Sequence, residues 1–126
     1  MKRLFTICLL PCFLLLHSCG DGTIATKPSD IVFPDSNVSY QSHVQPFLNL
    51  TCAFSGCHAD GTRIPLTSYI GLYQTPGLLI VGKPESSTLT QVLNGILPHN
   101  NSFQRVVTDN HKAGMTRWVR DGAKNN

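Results

Sequence analysis

The stretch Cys52-Ala53-Phe54-Ser55-Gly56-Cys57-His58 places two thiols four residues apart in the gap, with an imidazole directly after the second. The common covalent haem signature is Cys-x-x-Cys-His, and here the same residue types stand in the same order with a longer gap. In that chemistry the thiols add to the two vinyl groups as thioethers. The histidine, tied to its neighbouring cysteine, reaches the iron from the proximal side. The same two cysteines would also serve a plain disulfide in an exported protein. A zinc site would need further ligands, which His99 and His111 are available to supply. On this stretch alone these chemistries stay open.

The rest of the cysteine inventory narrows the choice. Lys2 and Arg3 precede an uncharged apolar run over residues 4–16, and the run ends at Leu16-His17-Ser18-Cys19-Gly20. This is the layout of a signal peptide, shorter than the roughly 20 apolar residues of a membrane span. Leu16 and Ser18 before Cys19 resemble the bacterial lipoprotein signal, in which cleavage exposes the cysteine for lipid attachment. Residues 1–18 are therefore expected to be a leader and Cys19 a lipidation site. Cys8 and Cys12 leave with the leader, so Cys52 and Cys57 alone remain for other chemistry. In an oxidising compartment such a pair is used by a partner thiol, a metal or a cofactor.

Without the leader the chain carries 8 basic and 7 acidic residues, so the basic character of the whole sequence is largely a leader effect. No Lys/Arg cluster with interleaved aromatics argues for nucleic acid. Residues 19–38 are polar and contain Pro28 and Pro34; they are expected to be a flexible tether. Residues 39–126 form the domain, small enough that a staple or ligand would help to stabilise it.

Four short helices are expected in that domain. The first spans residues 40–50, capped by Ser39, with Val44, Phe47 and Leu48 on one face. Pro46 implies either a kink or a start near Gln45. A second follows an N-cap at Thr67 and presents Tyr69, Leu72 and Tyr73. Residues 78–81 are apolar and suit a short extended piece. A third helix carries Leu89, Val92 and Leu93, capped by Ser86 or Ser87 and stopped by Asn94-Gly95. The last follows Thr108, with His111, Met115, Trp118 and Val119 on one face and Gly122 as its stop. Lys124, Asn125 and Asn126 are expected to fray. The fold class is all-α, with long loops between about four short helices.

Taken in order, the haem-type motif, Leu66-Thr67-Ser68-Tyr69, Val81-Gly82-Lys83-Pro84-Glu85-Ser86-Ser87-Thr88-Leu89 and Trp118-Val119-Arg120-Asp121-Gly122-Ala123 resemble the small cytochrome c-like domains of exported bacterial proteins and lipoproteins, including the type seen in planctomycetes and Bacteroidota. The resemblance covers roughly residues 39–123. It implies covalent haem c on Cys52 and Cys57, and His58 as the proximal iron ligand. It also implies that the Gly-x-Pro-Glu-x-Ser-x-Leu stretch precedes a haem-contacting helix. The gap of four departs from the usual motif. So does Gly95-Ile96-Leu97-Pro98-His99, where the family usually has a Met-Pro-Pro turn that supplies the distal ligand. Leu97 stands at the methionine position and cannot bind iron. His99, two residues on, is the leading candidate for the distal position; Met115, His111 or an open site are the alternatives. Arg63 and Arg105 are candidates to bond the haem propionates.

The function these readings imply is single-electron transfer by a membrane-anchored monohaem c-type cytochrome, a carrier rather than an enzyme. It would be held in the bacterial cell envelope by lipid on Cys19, with its domain in the periplasm or at the outer surface. Its partner would be a redox protein or a membrane electron-transport chain. The alternative is a non-redox lipoprotein, a binding or structural module with a Cys52–Cys57 disulfide. No pairing of serine with histidine, or of two carboxylates, argues for hydrolysis.

Overall fold

A computed structural model describes residues 24–59, 61, 63–100 and 102–126 of the chain; the expected leader and Cys19 lie outside them. The fold is all-α. Helices α1 (Gln45–Thr51), α2 (Tyr69–Gln74), α3 (Thr88–Leu93) and α4 (Asp109–Arg120) are joined by loops that contain 3₁₀ turns at Pro28–Asp30, Pro84–Ser86 and Phe103–Arg105. No strand occurs among the described residues, so residues 78–81 do not form the expected extended piece. Leu78 is buried there, while Val81 faces solvent in a turn. No helix among the described residues is long and apolar enough to cross a membrane.

Helices of six or seven residues do not hold together alone, so each is fixed by its caps and its buried face. The entry to α1 shows how Pro46 is accommodated. Residues Tyr40–Val44 wind as one π turn, and α1 begins at Gln45 with the proline in its first turn. There its missing N–H removes no helical bond. Ser39 Oγ accepts the Ser42 N–H at 3.2 Å, and His43 Nδ1 accepts the Ser39 N–H at 3.1 Å. The same reciprocal device opens α4. Thr108 Oγ1 accepts the His111 N–H at 3.3 Å, and His111 Nδ1 accepts the Thr108 N–H at 3.1 Å. Histidine here does what glutamate or glutamine does in the usual capping box.

The apolar faces close on one core. Val44, Phe47 and Leu48 of the first helical segment meet Leu72 of α2 and Met115, Trp118 and Val119 of α4, all essentially without solvent exposure. Tyr40 stacks on Trp118 at 5.8 Å and meets Tyr69 edge-on at 5.1 Å. The N-cap of α2 is Ser68, one residue beyond the expected Thr67; its Oγ accepts the Gly71 N–H at 3.1 Å. Ser87 precedes α3 but does not cap it with its side chain. Its buried hydroxyl accepts the Ile80 N–H at 2.8 Å and lies 3.0 Å from the Lys83 carbonyl, which pins the preceding loop instead.

Two expectations about the chain's outer segments need correction. The tether expected over residues 19–38 is packed onto the domain along its second half. Ile31, Phe33 and Val38 are core residues. Phe33 sits edge-on to Phe47 at 5.7 Å, and its backbone exchanges two hydrogen bonds of 2.9 Å with the Asn110 side chain. His111 Nε2 donates to the Ile31 carbonyl at 2.9 Å, and Arg117 to that of Pro34 at 2.7 Å. The reason is the apolar run Ile31-Val32-Phe33, whose first and third side chains are buried in the core while Val32 faces solvent. Nor does the tail over residues 124–126 fray. Gly122, at φ +109°, turns the chain after α4. Trp118 Nε1 then donates to the Lys124 carbonyl at 3.0 Å, and the Asn126 carbonyl accepts from the Ser39 hydroxyl at 2.7 Å and the Gln41 N–H at 3.0 Å.

Candidate functional site

The end of α1 points into a cleft of about 340 Å³. Leu50, Thr51 and Cys52 leave the helix on its floor, and Cys57 and His58 come from the following loop. Leu66, with Leu89, Val92 and Leu93 of α3, gives the lining much of its apolar surface. His99, Phe103 and Val106 close the other side, and Pro28 stands at the rim. No Lys, Arg, Asp or Glu side chain is among the described residues that line it. Arg63 and Arg105 are exposed and are not among the lining residues.

The structure thus brings together Cys52, Cys57, His58 and His99, although more than forty positions separate the motif from the last of them. The imidazole rings of His58 and His99 have centroids 5.9 Å apart and planes inclined by 25°. His58 Nδ1 lies 2.8 Å from the Ile64 carbonyl. A carbonyl only accepts, so Nδ1 carries the proton and Nε2 of the neutral ring keeps its lone pair for a metal. Ile64 precedes Pro65, and a residue before proline is held toward extended backbone, which helps to fix that carbonyl. His99 Nδ1 faces the Asn100 carbonyl at 3.4 Å, and its ring meets Phe103 edge-on at 5.0 Å.

The two thiols are free and differ in setting. Cys52 is largely buried, and burial pushes its thiol above the ordinary range; the Thr51 hydroxyl, 3.3 Å away, pulls it back in part, and Cys57 pushes it up again. Cys57 is exposed. The longer gap between them is absorbed outward. The His58 N–H bonds the Cys52 carbonyl at 3.3 Å and closes the base of the loop, while residues 54–56 stand exposed at its tip. Cys52 and His58 are therefore held close despite the two additional residues.

The other ligand candidates are placed elsewhere. Met115 is fully buried among the core residues of α4 and does not line the cleft. Both ring nitrogens of His111 are committed, one to Thr108 and one to Ile31. Neither can serve the site, and His111 cannot complete a zinc centre there. Among the described residues no three His, Cys, Asp or Glu side chains are grouped to hold a metal ion. Ile64, Thr51 and Phe103 support the site without having been singled out by sequence; only the Ile64-Pro65 pair left a readable signal, the extended bias before proline. Compared with protein-family models, curated proteins and solved structures, the chain has no match.

Proposed function

We propose that the chain is a membrane-anchored, monohaem c-type cytochrome that carries single electrons in a bacterial cell envelope. The observation that carries this reading is the convergence of two cysteines and two facing histidines on one uncharged, mainly apolar cleft. The donor set fits the group. Two thiols at the cleft wall suit thioether bonds to the vinyl carbons, and two imidazoles suit iron from opposite sides.

In this reading Cys52 and Cys57 would hold haem c covalently, and His58, through Nε2, and His99 would be the residues offered to its iron. The bound iron supplies a one-electron couple. The chain's own residues set the conditions for it. Ile64 orients His58 and raises its basicity through the Nδ1–H bond. Leu66, Leu89, Val92 and Leu93 exclude water from one side, and Phe103 from the other. An uncharged wall leaves the potential to the ligands and to burial, and two nitrogen ligands favour a lower potential than a nitrogen–sulfur pair. Cys19 would carry the lipid that holds the protein at a membrane, beside a redox protein or a membrane electron-transport chain.

The test is an absorption spectrum of the protein exported into a periplasm equipped for cytochrome c maturation. A sharp α band on reduction, with colour that stays on the chain after denaturation and acid extraction, is the expected result. Substituting Cys57→Ala should convert the two-thioether haem spectrum in alkaline pyridine to a one-thioether spectrum. A colourless, folded protein with a Cys52–Cys57 disulfide overturns the reading and leaves a lipoprotein binding or structural module in its place.

A further inference from the structure

We infer that the cleft binds a small, neutral diatomic ligand, taken up at the position His99 holds. The inference rests on the haem reading above and adds a ligand class to that site.

The two facing histidines are held unequally. His58 is bound through its backbone to Cys57, is half-buried, and gives its Nδ1–H to the Ile64 carbonyl at 2.8 Å. His99 is exposed, sits in the loop between α3 and the 3₁₀ turn at Phe103–Arg105, and reaches only the carbonyl of its own neighbour at 3.4 Å. That is beyond the usual range for a nitrogen–oxygen hydrogen bond. Its ring otherwise meets Phe103 edge-on and lies near-parallel to the His58 ring. A metal-bound histidine is firmest when its second nitrogen is well bonded. By that measure His58 is the fixed ligand and His99 the one a competitor displaces. Swinging His99 outward breaks no strong bond and moves the ring toward water.

The space it would vacate favours a neutral visitor. Phe103 packs against the ring, and Val106, Leu89, Val92 and Leu93 line the same cleft. Apolar walls penalise an anion that must shed its water and scarcely penalise a neutral diatomic. The polar groups on that side are Asn100 and Ser102, and the Asn100 Oδ1 already accepts the Ser102 N–H at 3.0 Å. The exchange replaces the His99 nitrogen by one ligand atom, and no proton or electron moves.

Carbon monoxide is the probe, titrated into the reduced, haem-loaded protein with the Soret band as readout. The wild type should bind it saturably. His99→Ala should bind it roughly tenfold more tightly or better, because the competing imidazole then no longer occupies the position. Phe103→Leu, which removes the edge contact but keeps the imidazole, should fall between them. A reduced haem protein whose spectrum carbon monoxide does not move, in the wild type and in His99→Ala alike, overturns the inference. Equal affinity in the two proteins also overturns it, since His99 would then not be the group displaced. A protein that carries no covalent haem fails at the earlier step, visibly and before any gas is added, and takes this inference with it.

Discussion

Cys52 and Cys57 are the same residue type five positions apart, yet their surroundings separate them. Burial holds the Cys52 thiol protonated above the pH at which a free thiol ionises, and the thiolate is the reacting form. Cys57 stands in solvent. In the haem-free protein iodoacetamide at pH 8 should therefore alkylate Cys57 roughly tenfold faster than Cys52 or more, a ratio read by peptide mass spectrometry. Raising the pH should narrow the difference, because the Cys52 thiolate fraction climbs late. Equal rates would show that Cys52 is open to solvent. Cys52, Cys57, His58 and His99 were legible in the sequence as candidates because type and order mark them, and the structure brings the four to one cleft. His99 could be ranked ahead of His111 from its place in the chain, but the physical reason could not be read. His111 and His99 are both histidines after a polar loop, and what separates them is that both nitrogens of one are taken by Thr108 and Ile31. Those bonds depend on where a distant segment packs, which no local pattern records.

Helix α4 organises the core, and Gly114 decides what can lie across it. A Cβ at this position would sit 2.2 Å from Cβ and Cγ of Phe33. Rotating the Phe33 side chain moves Cγ but leaves Cβ where the backbone puts it, so the clash persists. Gly114→Ala should gain about 1 kcal/mol of helix propensity, but overpacking a filled site costs about 1–3 kcal/mol and more where nothing yields. The net effect should be a lower thermal midpoint, with the Phe33 segment displaced; an unchanged or raised midpoint would mean that segment is loosely held. The same contact explains why the tether expectation failed while the helices were found. Helix α4 shows its face through residues three and four apart. Ile31, Phe33 and Val38 show too little periodicity to outweigh the prolines and polar residues around them. The caps were legible as hydroxyls near the right place, but Thr67 and Ser68 differ only in which one the backbone turns toward Gly71.

At the scale of the whole molecule, three buried or crowded acids tie stability to alkaline pH. Cys52 is raised above 9.0 mainly by burial, Tyr40 is raised above 10.0 by burial, and Tyr69 is pushed up to about 12, by desolvation first and then by Tyr73. A folded state that keeps these groups protonated binds more protons than the unfolded chain. Their contribution is full below the unfolded values and is lost as pH rises through the folded ones. The haem-free protein should hold constant stability to about pH 9 and lose it progressively toward pH 12, as followed by denaturant midpoints. If haem is attached as proposed, thioether formation would remove the Cys52 contribution, and the loss should then begin about one pH unit later, where tyrosine ionises. Identical onsets in the two forms would show that Cys52 ionises alike in the folded and unfolded chain.

The packing of the N-terminal segment also sets a leash length. A tether running freely from Cys19 to Ser39 would let the domain roam far from its lipid. Instead Pro28 already stands at the rim of the cleft, and at most about 3.3–3.6 Å of reach per residue leaves roughly 30 Å between that rim and a lipid on Cys19. An anchored copy would work within about a bilayer's thickness of the surface that carries it. On the proposed reading, the partners of an anchored copy would be embedded in or lie on the same membrane.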